Sequence, residues 1–116
     1  MSVTIYHNPK CSKSRQTLEL LQSKGIRPVI VEYLKEPPDK DTLKKILRLL
    51  KIKPRDLMRK KEEIYKKAKL DREDLGDDAL ISAMIKHPIL IERPIVLANG
   101  KAAIGRPPEN VLEILI

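Results

Sequence analysis

The apolar and polar positions of this chain predict strands near both ends and helices between them. Val3 to Tyr6 and Val29 to Tyr33 are short runs rich in β-branched residues, a composition typical of strands. Between them we predict a helix from Ser12 or Lys13 to Lys24, which Gly25 ends. The apolar face of this helix consists of Thr17, Leu18 and Leu21. This β-α-β order with short connections indicates parallel strands joined by a right-handed crossover.

Helical patterns fill the middle of the chain. Asp39 is suited to cap a helix whose apolar side chains repeat at i, i+3, i+4 and i+7. That apolar stripe consists of Leu43, Ile46, Leu47 and Leu50. Pro54 suits the first turn of another helix, and Asp77 or Asp78 is predicted to cap a further one that Pro88 ends. The predicted inward side chains of that helix are Leu80, Ile81, Met84 and Ile85.

The pattern changes again after the helical segment. Ile95 to Ala98 and Lys101 to Ile104 flank Asn99-Gly100, a dipeptide that tolerates the positive φ angles of a tight hairpin turn. Pro107-Pro108-Glu109 opens a last helix. The inward side chains of that helix are predicted to be Val111, Leu112 and Leu115. The order β-α-β, an all-helical insertion at about 37–88, then β-β-α is that of an α/β, thioredoxin-like domain. We predict one such domain over residues 1–116, with a mixed four-stranded sheet.

Length and composition bound the class of protein. With 116 residues, of which 41% are hydrophobic and 34% charged, the chain fits one folded domain with a modest core. Met1 to Thr4 shows no signal-peptide pattern, and no apolar stretch approaches the roughly 18 residues of a membrane helix. The single cysteine, Cys11, excludes an internal disulfide, a C-x-x-C pair and a multi-cysteine zinc site. We therefore expect a cytoplasmic protein with no membrane partner and no metal.

The net charge of +8 raises the question of nucleic-acid binding. Single-strand binders commonly stack bases on exposed aromatic rings, but this chain has no Phe or Trp and only three Tyr. We therefore do not expect a nucleic-acid partner. Much of the charge lies in Lys53 to Lys69, with eight basic and three acidic residues, and Arg55 to Lys69 is helical in composition. Two interpretations stay open: a solvated helix face, or a surface that steers anionic substrates.

Cys11 lies where the first strand gives way to the first helix. Unpaired N–H groups at a helix N-terminus favour the thiolate, which is the nucleophilic form of cysteine. Basic and imidazole side chains crowd the same turn and act in the same direction: His7, Lys10, Lys13 and Arg15. The alternative interpretation is an inert, small buried residue.

Three arginines have a distinctive context. Arg93 precedes Pro94 where the third predicted strand begins, Arg106 precedes Pro107 just after the fourth, and Arg59 lies in the helical insertion. Guanidinium groups bind tetrahedral oxyanions with two parallel hydrogen bonds and stay charged at any relevant pH. A thiolate with several arginines suits attack on an oxyanion such as arsenate or phosphate. Spacing alone does not bring the three to Cys11, so ordinary surface arginines are the alternative.

Five segments together are similar to the glutaredoxin-dependent arsenate reductase family over nearly the whole chain. They are His7-Asn8-Pro9-Lys10-Cys11-Ser12-Lys13-Ser14-Arg15, Tyr33-Leu34-Lys35-Glu36-Pro37-Pro38, Leu57-Met58-Arg59-Lys60, His87-Pro88-Ile89-Leu90-Ile91-Glu92-Arg93-Pro94-Ile95-Val96 and Gly105-Arg106-Pro107. The resemblance implies a thioredoxin-like fold with a helical insertion and a cis peptide bond before Pro94.

The resemblance also implies roles for individual residues. The nucleophile falls on Cys11, and the three oxyanion-binding arginines fall on Arg59, Arg93 and Arg106. Arsenate is the implied substrate, with glutathione as co-substrate, glutaredoxin as partner, and no bound cofactor. His7 and Ser14 are possible auxiliary residues that orient the thiolate. For His7, a purely structural place in the turn is an equal alternative.

Two other functions stay open. Related thioredoxin-like proteins regulate transcription by binding RNA polymerase, and the basic insertion supports that hypothesis. Those regulators often carry a C-x-x-C switch, however, and Ser14 stands where its second cysteine would fall. The third hypothesis is a general glutathione-linked thiol oxidoreductase that uses Cys11 without arsenate.

Overall fold

A computed structural model describes residues 2–115, which divide into two compact units. The first unit contains the residues up to Glu36 and those from Arg93 onward, and the second contains Pro37–Glu92. The first unit holds strands β1 (Val3–Tyr6), β2 (Val29–Val31), β3 (Ile95–Ala98) and β4 (Lys101–Ile104), helix α1 (Ser12–Ser23) and a 3₁₀ helix (Pro108–Ile114).

The four strands form one mixed sheet in the order β2-β1-β3-β4. Strand β1 pairs in parallel with β2, where Ile5 lies opposite Ile30. Strand β3 runs antiparallel to both neighbours, with Val96 opposite Ile5 of β1 and Ala103 of β4. The predicted α/β, thioredoxin-like class with a mixed four-stranded sheet is confirmed. The hairpin turn has the predicted positive φ angles, 54° at Asn99 and 70° at Gly100.

The core of the first unit joins the sheet to α1 and the C-terminal 3₁₀ helix. Its buried members are Val3, Ile5, Leu21, Val96, Ala98, Val111 and Ile114. Burial of each large apolar side chain stabilises the fold by roughly 1.5–3 kcal/mol. Leu21 fixes α1 in this core, and Cys11 is the N-cap residue of α1, in the turn that follows β1.

The second unit is built from helices. They are α2 (Lys40–Leu50), α3 (Pro54–Leu57), α4 (Glu63–Lys67), α5 (Asp77–Lys86) and a 3₁₀ turn (Pro88–Leu90). Asp39 caps α2 as predicted, because its carboxylate accepts the N–H of Thr42 at 2.8 Å. Helix α5 packs against α2 and α3, and the central buried side chains are Leu43, Ile46, Leu47, Leu80, Ile81 and Met84.

The first two differences from the sequence predictions concern where a strand and a helix end. Strand β2 ends at Val31, two residues early, because the Glu32 carbonyl accepts the N–H groups of Lys35 and Glu36 and closes a turn. The segment Arg55 to Lys69 is not one helix. It leaves helical geometry at Met58, which forms an isolated antiparallel bridge with Ile91, and resumes only in α4.

Two helix ends also differ from the sequence predictions. Gly76, not Asp77 or Asp78, is the N-cap of α5. Both aspartates lie in the first turn, where their negative charges interact favourably with the positive end of the helix dipole. The last helix is 3₁₀ and buries Pro108, Val111 and Ile114, whereas Leu112 and Leu115 are only half-buried. A spacing of three matches the three residues per turn of a 3₁₀ helix.

Within residues 2–115, no helix is both long and apolar enough to cross a membrane.

Candidate functional site

Cys11 is the N-cap residue of α1, with the extended backbone angles φ −95° and ψ 124°. Its N–H donates to the Asn8 carbonyl at 3.0 Å, and its own carbonyl accepts the N–H of Arg15 at 3.0 Å. The Arg15 guanidinium also donates to the Pro9 carbonyl at 2.9 Å. The side chain is only 8% exposed. The turn between β1 and α1 therefore fixes the thiol at the helix N-terminus.

The pKa of the Cys11 thiol lies below the ordinary value for cysteine. Burial is the one effect that raises this pKa, because it disfavours the charged thiolate. Hydrogen bonds from the backbone N–H groups of Ser14 and Lys13, and the positive charges of Arg93 and Arg106, lower the pKa and outweigh burial. The site thus favours a thiolate in a poorly hydrated position, which suits nucleophilic attack.

Arg93 and Arg106 come together beside this thiol. Nη2 of Arg106 lies 3.5 Å from Sγ of Cys11, and Nε of Arg106 donates to the Arg93 carbonyl at 2.8 Å. Arg93 is a buried charged residue. The expected cis peptide bond before Pro94 is present, and the bond between Arg106 and Pro107 is also cis. Two fixed positive charges next to a nucleophile are what an incoming oxyanion requires.

His7 and Ser14 brace the turn that carries Cys11. Nδ1 of His7 lies 2.5 Å from Oγ of Ser14, which also accepts the N–H of Asn8 at 3.0 Å. Burial lowers the pKa of His7, Glu32 raises it less, and Arg15 lowers it further, so the imidazole is neutral at pH 7. The Ser14 hydroxyl is thus taken up by its hydrogen bonds with His7 and Asn8. Ser14 therefore reaches the thiolate through its backbone N–H.

Arg59 belongs to the second unit. It follows α3 in an extended segment, where its N–H donates to the Leu90 carbonyl at 2.7 Å. Nη1 of Arg59 lies 3.3 Å from Oε1 of Glu62, and Nε lies 3.9 Å from Oε1 of Glu92. Two carboxylates thus orient this guanidinium, and neither was singled out from the sequence. The Arg59–Glu62 spacing of three was the available signal.

The sequence predicted that unpaired backbone N–H groups at this helix start favour the thiolate, and the structure identifies them as those of Lys13 and Ser14. The N–H groups of Lys13 and Ser14 point at Sγ because the residues after an N-cap leave their amides unpaired within the helix. The sequence signal for these N–H groups is the succession of a strand, a tight turn and a helix. Within residues 2–115, no group of three or more His, Cys, Asp or Glu side chains could hold a metal ion.

Comparison with known proteins agrees with this geometry. The model of the ArsC family matches residues 6–114. The chain belongs to the ArsC family. Two proteins are similar over almost their full lengths: the uncharacterized protein YfgD of Escherichia coli K12, 55% identical over 97% of this chain and 96% of its own, and the arsenate reductase of Haemophilus influenzae, 53% identical over 99% of this chain and 100% of its own.

A solved structure, the arsenate reductase from Vibrio cholerae, shares the fold of this ArsC-family chain with a TM-score of 0.97. It is 56% identical in sequence, and the match covers 99% of this chain and 98% of that one.

Proposed function

We propose that this ArsC-family protein reduces arsenate to arsenite with Cys11 as the nucleophile and with glutathione and glutaredoxin as external reductants. One observation carries the proposal: the Cys11 thiol has a lowered pKa and lies 3.5 Å from the Arg106 guanidinium, which is itself bonded to the Arg93 carbonyl. The similar proteins from Haemophilus influenzae and Vibrio cholerae are named arsenate reductases, which supports arsenate as the substrate.

The first step forms a bond between sulfur and arsenic. The Cys11 thiolate attacks arsenic(V), and one arsenate oxygen leaves as water after protonation. No electrons change hands in this step. Arg93 and Arg106 offset the repulsion between thiolate and oxyanion, and we propose that Arg59 also binds the oxyanion, as the family resemblance implies.

The later steps need two thiols from outside the chain, because Cys11 is its only cysteine. The thiol of glutathione adds to arsenic and releases a second water. A glutaredoxin thiolate then attacks the glutathione sulfur, and the electron pair of the broken sulfur–arsenic bond reduces arsenic(V) to arsenic(III). Water finally displaces Cys11, which regenerates the thiol and frees arsenite. We propose the cytoplasm as the compartment, because glutathione keeps thiols reduced there.

The test is arsenate-dependent oxidation of NADPH with glutathione, glutathione reductase and glutaredoxin supplied together or omitted singly. We expect steady turnover only in the complete mixture. A thioredoxin system should support none, because its use requires resolving cysteines that this chain does not have. Efficient turnover with thioredoxin alone would contradict the glutaredoxin coupling. No arsenate-dependent turnover in any mixture would contradict the whole proposal and favour a regulator or a general thiol oxidoreductase.

A further inference from the structure

Among the glycines in the described part of the chain, Gly105 has the least space for a side chain. A Cβ atom built on it would lie 2.5 Å from Oγ1 of Thr17 and 2.8 Å from Cγ of Pro94, closer than real Cβ atoms approach other heavy atoms. The φ angle of Gly105 is outside the left-handed region. The position therefore requires glycine for space and not for backbone conformation.

Neither neighbour can move aside cheaply. Thr17 is completely buried in α1, where its hydroxyl donates to the Lys13 carbonyl at 2.8 Å. Pro94 is buried, its ring is rigid, and its carbonyl accepts the N–H of Gly105 at 2.9 Å. A side chain at position 105 would therefore push α1 away from the segments on which the two site arginines lie.

Each of the three residues in this contact is linked to the site by the chain itself. Thr17 lies on the helix that begins after Cys11, Pro94 follows Arg93, and Gly105 precedes Arg106. We propose that Gly105 is a positioning residue, whose missing side chain lets α1, Arg93 and Arg106 approach closely enough for both guanidinium groups to act on Cys11. Its effect on turnover rests on the proposed function, whereas its effect on the thiol does not.

The first measurement uses no arsenate. The rate of Cys11 alkylation against pH should show its inflection at higher pH in Gly105→Ala than in the unsubstituted protein, because displaced guanidinium groups stabilise the thiolate less. The matched control is Gly76→Ala, since Gly76 has no heavy atom within 4 Å of an added Cβ and a φ angle of −78°. Its inflection should be unchanged.

A second pair of variants isolates the contact. Thr17→Ala removes two of the three side-chain atoms that crowd position 105, at 2.5 and 3.1 Å. The double variant Gly105→Ala/Thr17→Ala should therefore return part of the way to the inflection of Thr17→Ala alone. This comparison also serves if Gly105→Ala does not fold, because the double variant removes the closest contact of the added Cβ, at 2.5 Å, and leaves only the 2.8 Å contact with Pro94. An unshifted inflection in a folded Gly105→Ala, or in the double variant no recovery of either folding or inflection, would overturn the proposal.

The arsenate assay then separates this inference from the proposed function. If both hold, Gly105→Ala should raise the KM for arsenate by about tenfold or more, the loss expected when one hydrogen bond to a charged group is weakened, and Gly76→Ala should not. A shifted inflection in a protein that reduces no arsenate, even unsubstituted, would support the positioning role while contradicting arsenate reduction. A shifted inflection with an unchanged KM would support the positioning role at the thiol and contradict the expected effect of Gly105 on arsenate binding.

Discussion

At Cys11, effects of opposite sign act on one thiol, and substitution can separate them. Burial raises the thiol pKa, whereas the backbone N–H groups of Ser14 and Lys13 and the charges of Arg93 and Arg106 lower it. The backbone contribution depends on the helix start, so side-chain changes leave it in place. The arginine contribution is removable one residue at a time.

This separation gives the first prediction. Arg106→Ala should move the inflection of the alkylation rate to higher pH, toward that of an unperturbed cysteine, because one favourable charge 3.5 Å from Sγ is lost. Arg72→Ala is the control, since Arg72 lies exposed in the second unit and pairs with Asp74. An inflection that is the same in both variants would contradict the contribution of Arg106.

The second prediction concerns oxyanion binding. Replacement of Arg93 or Arg106 by Ala should weaken arsenate binding ten- to a hundredfold, because hydrogen bonds to charged groups are worth roughly 1.5–3 kcal/mol. Lysine should restore only part of the loss, because a point charge cannot make two parallel hydrogen bonds. Titration calorimetry with arsenate measures the effect directly. Full restoration by lysine would show that charge alone matters, against the proposed geometry. Arg59→Ala tests the third arginine in the same way.

At the scale of elements, Arg55 shows how a charge outside the motifs can be structural. It lies in α3, and its guanidinium donates to Oη of Tyr65 at 2.6 Å and to the carbonyls of Leu70 and Arg72 at 2.7 Å each. It therefore ties α3 to α4 and to the turn that follows. In the sequence, Arg55 is one of several basic residues in a charged run, and its hydrogen-bond partners are identified only in the folded structure.

The third prediction follows from these bonds. Arg55→Ala should lower the free energy of unfolding by about 2 kcal/mol, because three acceptors lose a charged donor. Arg72→Ala should leave it nearly unchanged, since an exposed pair contributes little. Urea unfolding followed by circular dichroism compares the two. Equal midpoints for the two variants would refute the structural role of Arg55.

Much of the architecture was predictable from sequence because its signals are local. β-Branched composition marked β1, Asn99-Gly100 marked the hairpin of β3 and β4, and Asp39 marked the start of α2. Local signals failed where pairing with a distant segment of the backbone determines the local conformation. Met58 leaves helical geometry to bridge Ile91, a partner 33 residues away in the chain. The last helix also has good α-helical composition, yet packing against the sheet favours a period of three.

The candidate site divides in the same way. Cys11, Arg93 and Arg106 were found through motifs, and the structure brings these three together. Backbone support from the helix start was expected, but the two amides that supply it, those of Lys13 and Ser14, were not identified because amides carry no side-chain signal. Gly105 was visible only as part of a motif, since its close approach to Thr17 joins residues 88 positions apart.

At the scale of the whole molecule, the buried His7 links stability to pH. Burial lowers the pKa of His7 in the folded state, and the unfolded value is about 6.5. Below about pH 6.5 the unfolded chain therefore binds a proton that the folded protein does not, so the free energy of unfolding falls as the pH drops toward the folded pKa. Above that range the contribution is fully present.

The fourth prediction is a loss of stability on mild acidification that depends on this residue. The urea midpoint should fall between pH 7 and pH 5.5 in the unsubstituted protein. In His7→Gln the fall should be smaller, because glutamine does not titrate. An identical pH dependence in the two proteins would refute the assignment to His7.

The most direct test of the central claim is the arsenite released by the unsubstituted protein and by Cys11→Ser. Both proteins receive arsenate, glutathione and glutaredoxin, and arsenite is quantified by chromatography with elemental detection. Circular dichroism confirms that both are folded. We predict sustained arsenite release by the unsubstituted protein and only the background rate by Cys11→Ser, because a serine hydroxyl stays protonated beside the same arginines. Arsenite release by folded Cys11→Ser at the unsubstituted rate would contradict thiolate attack by Cys11.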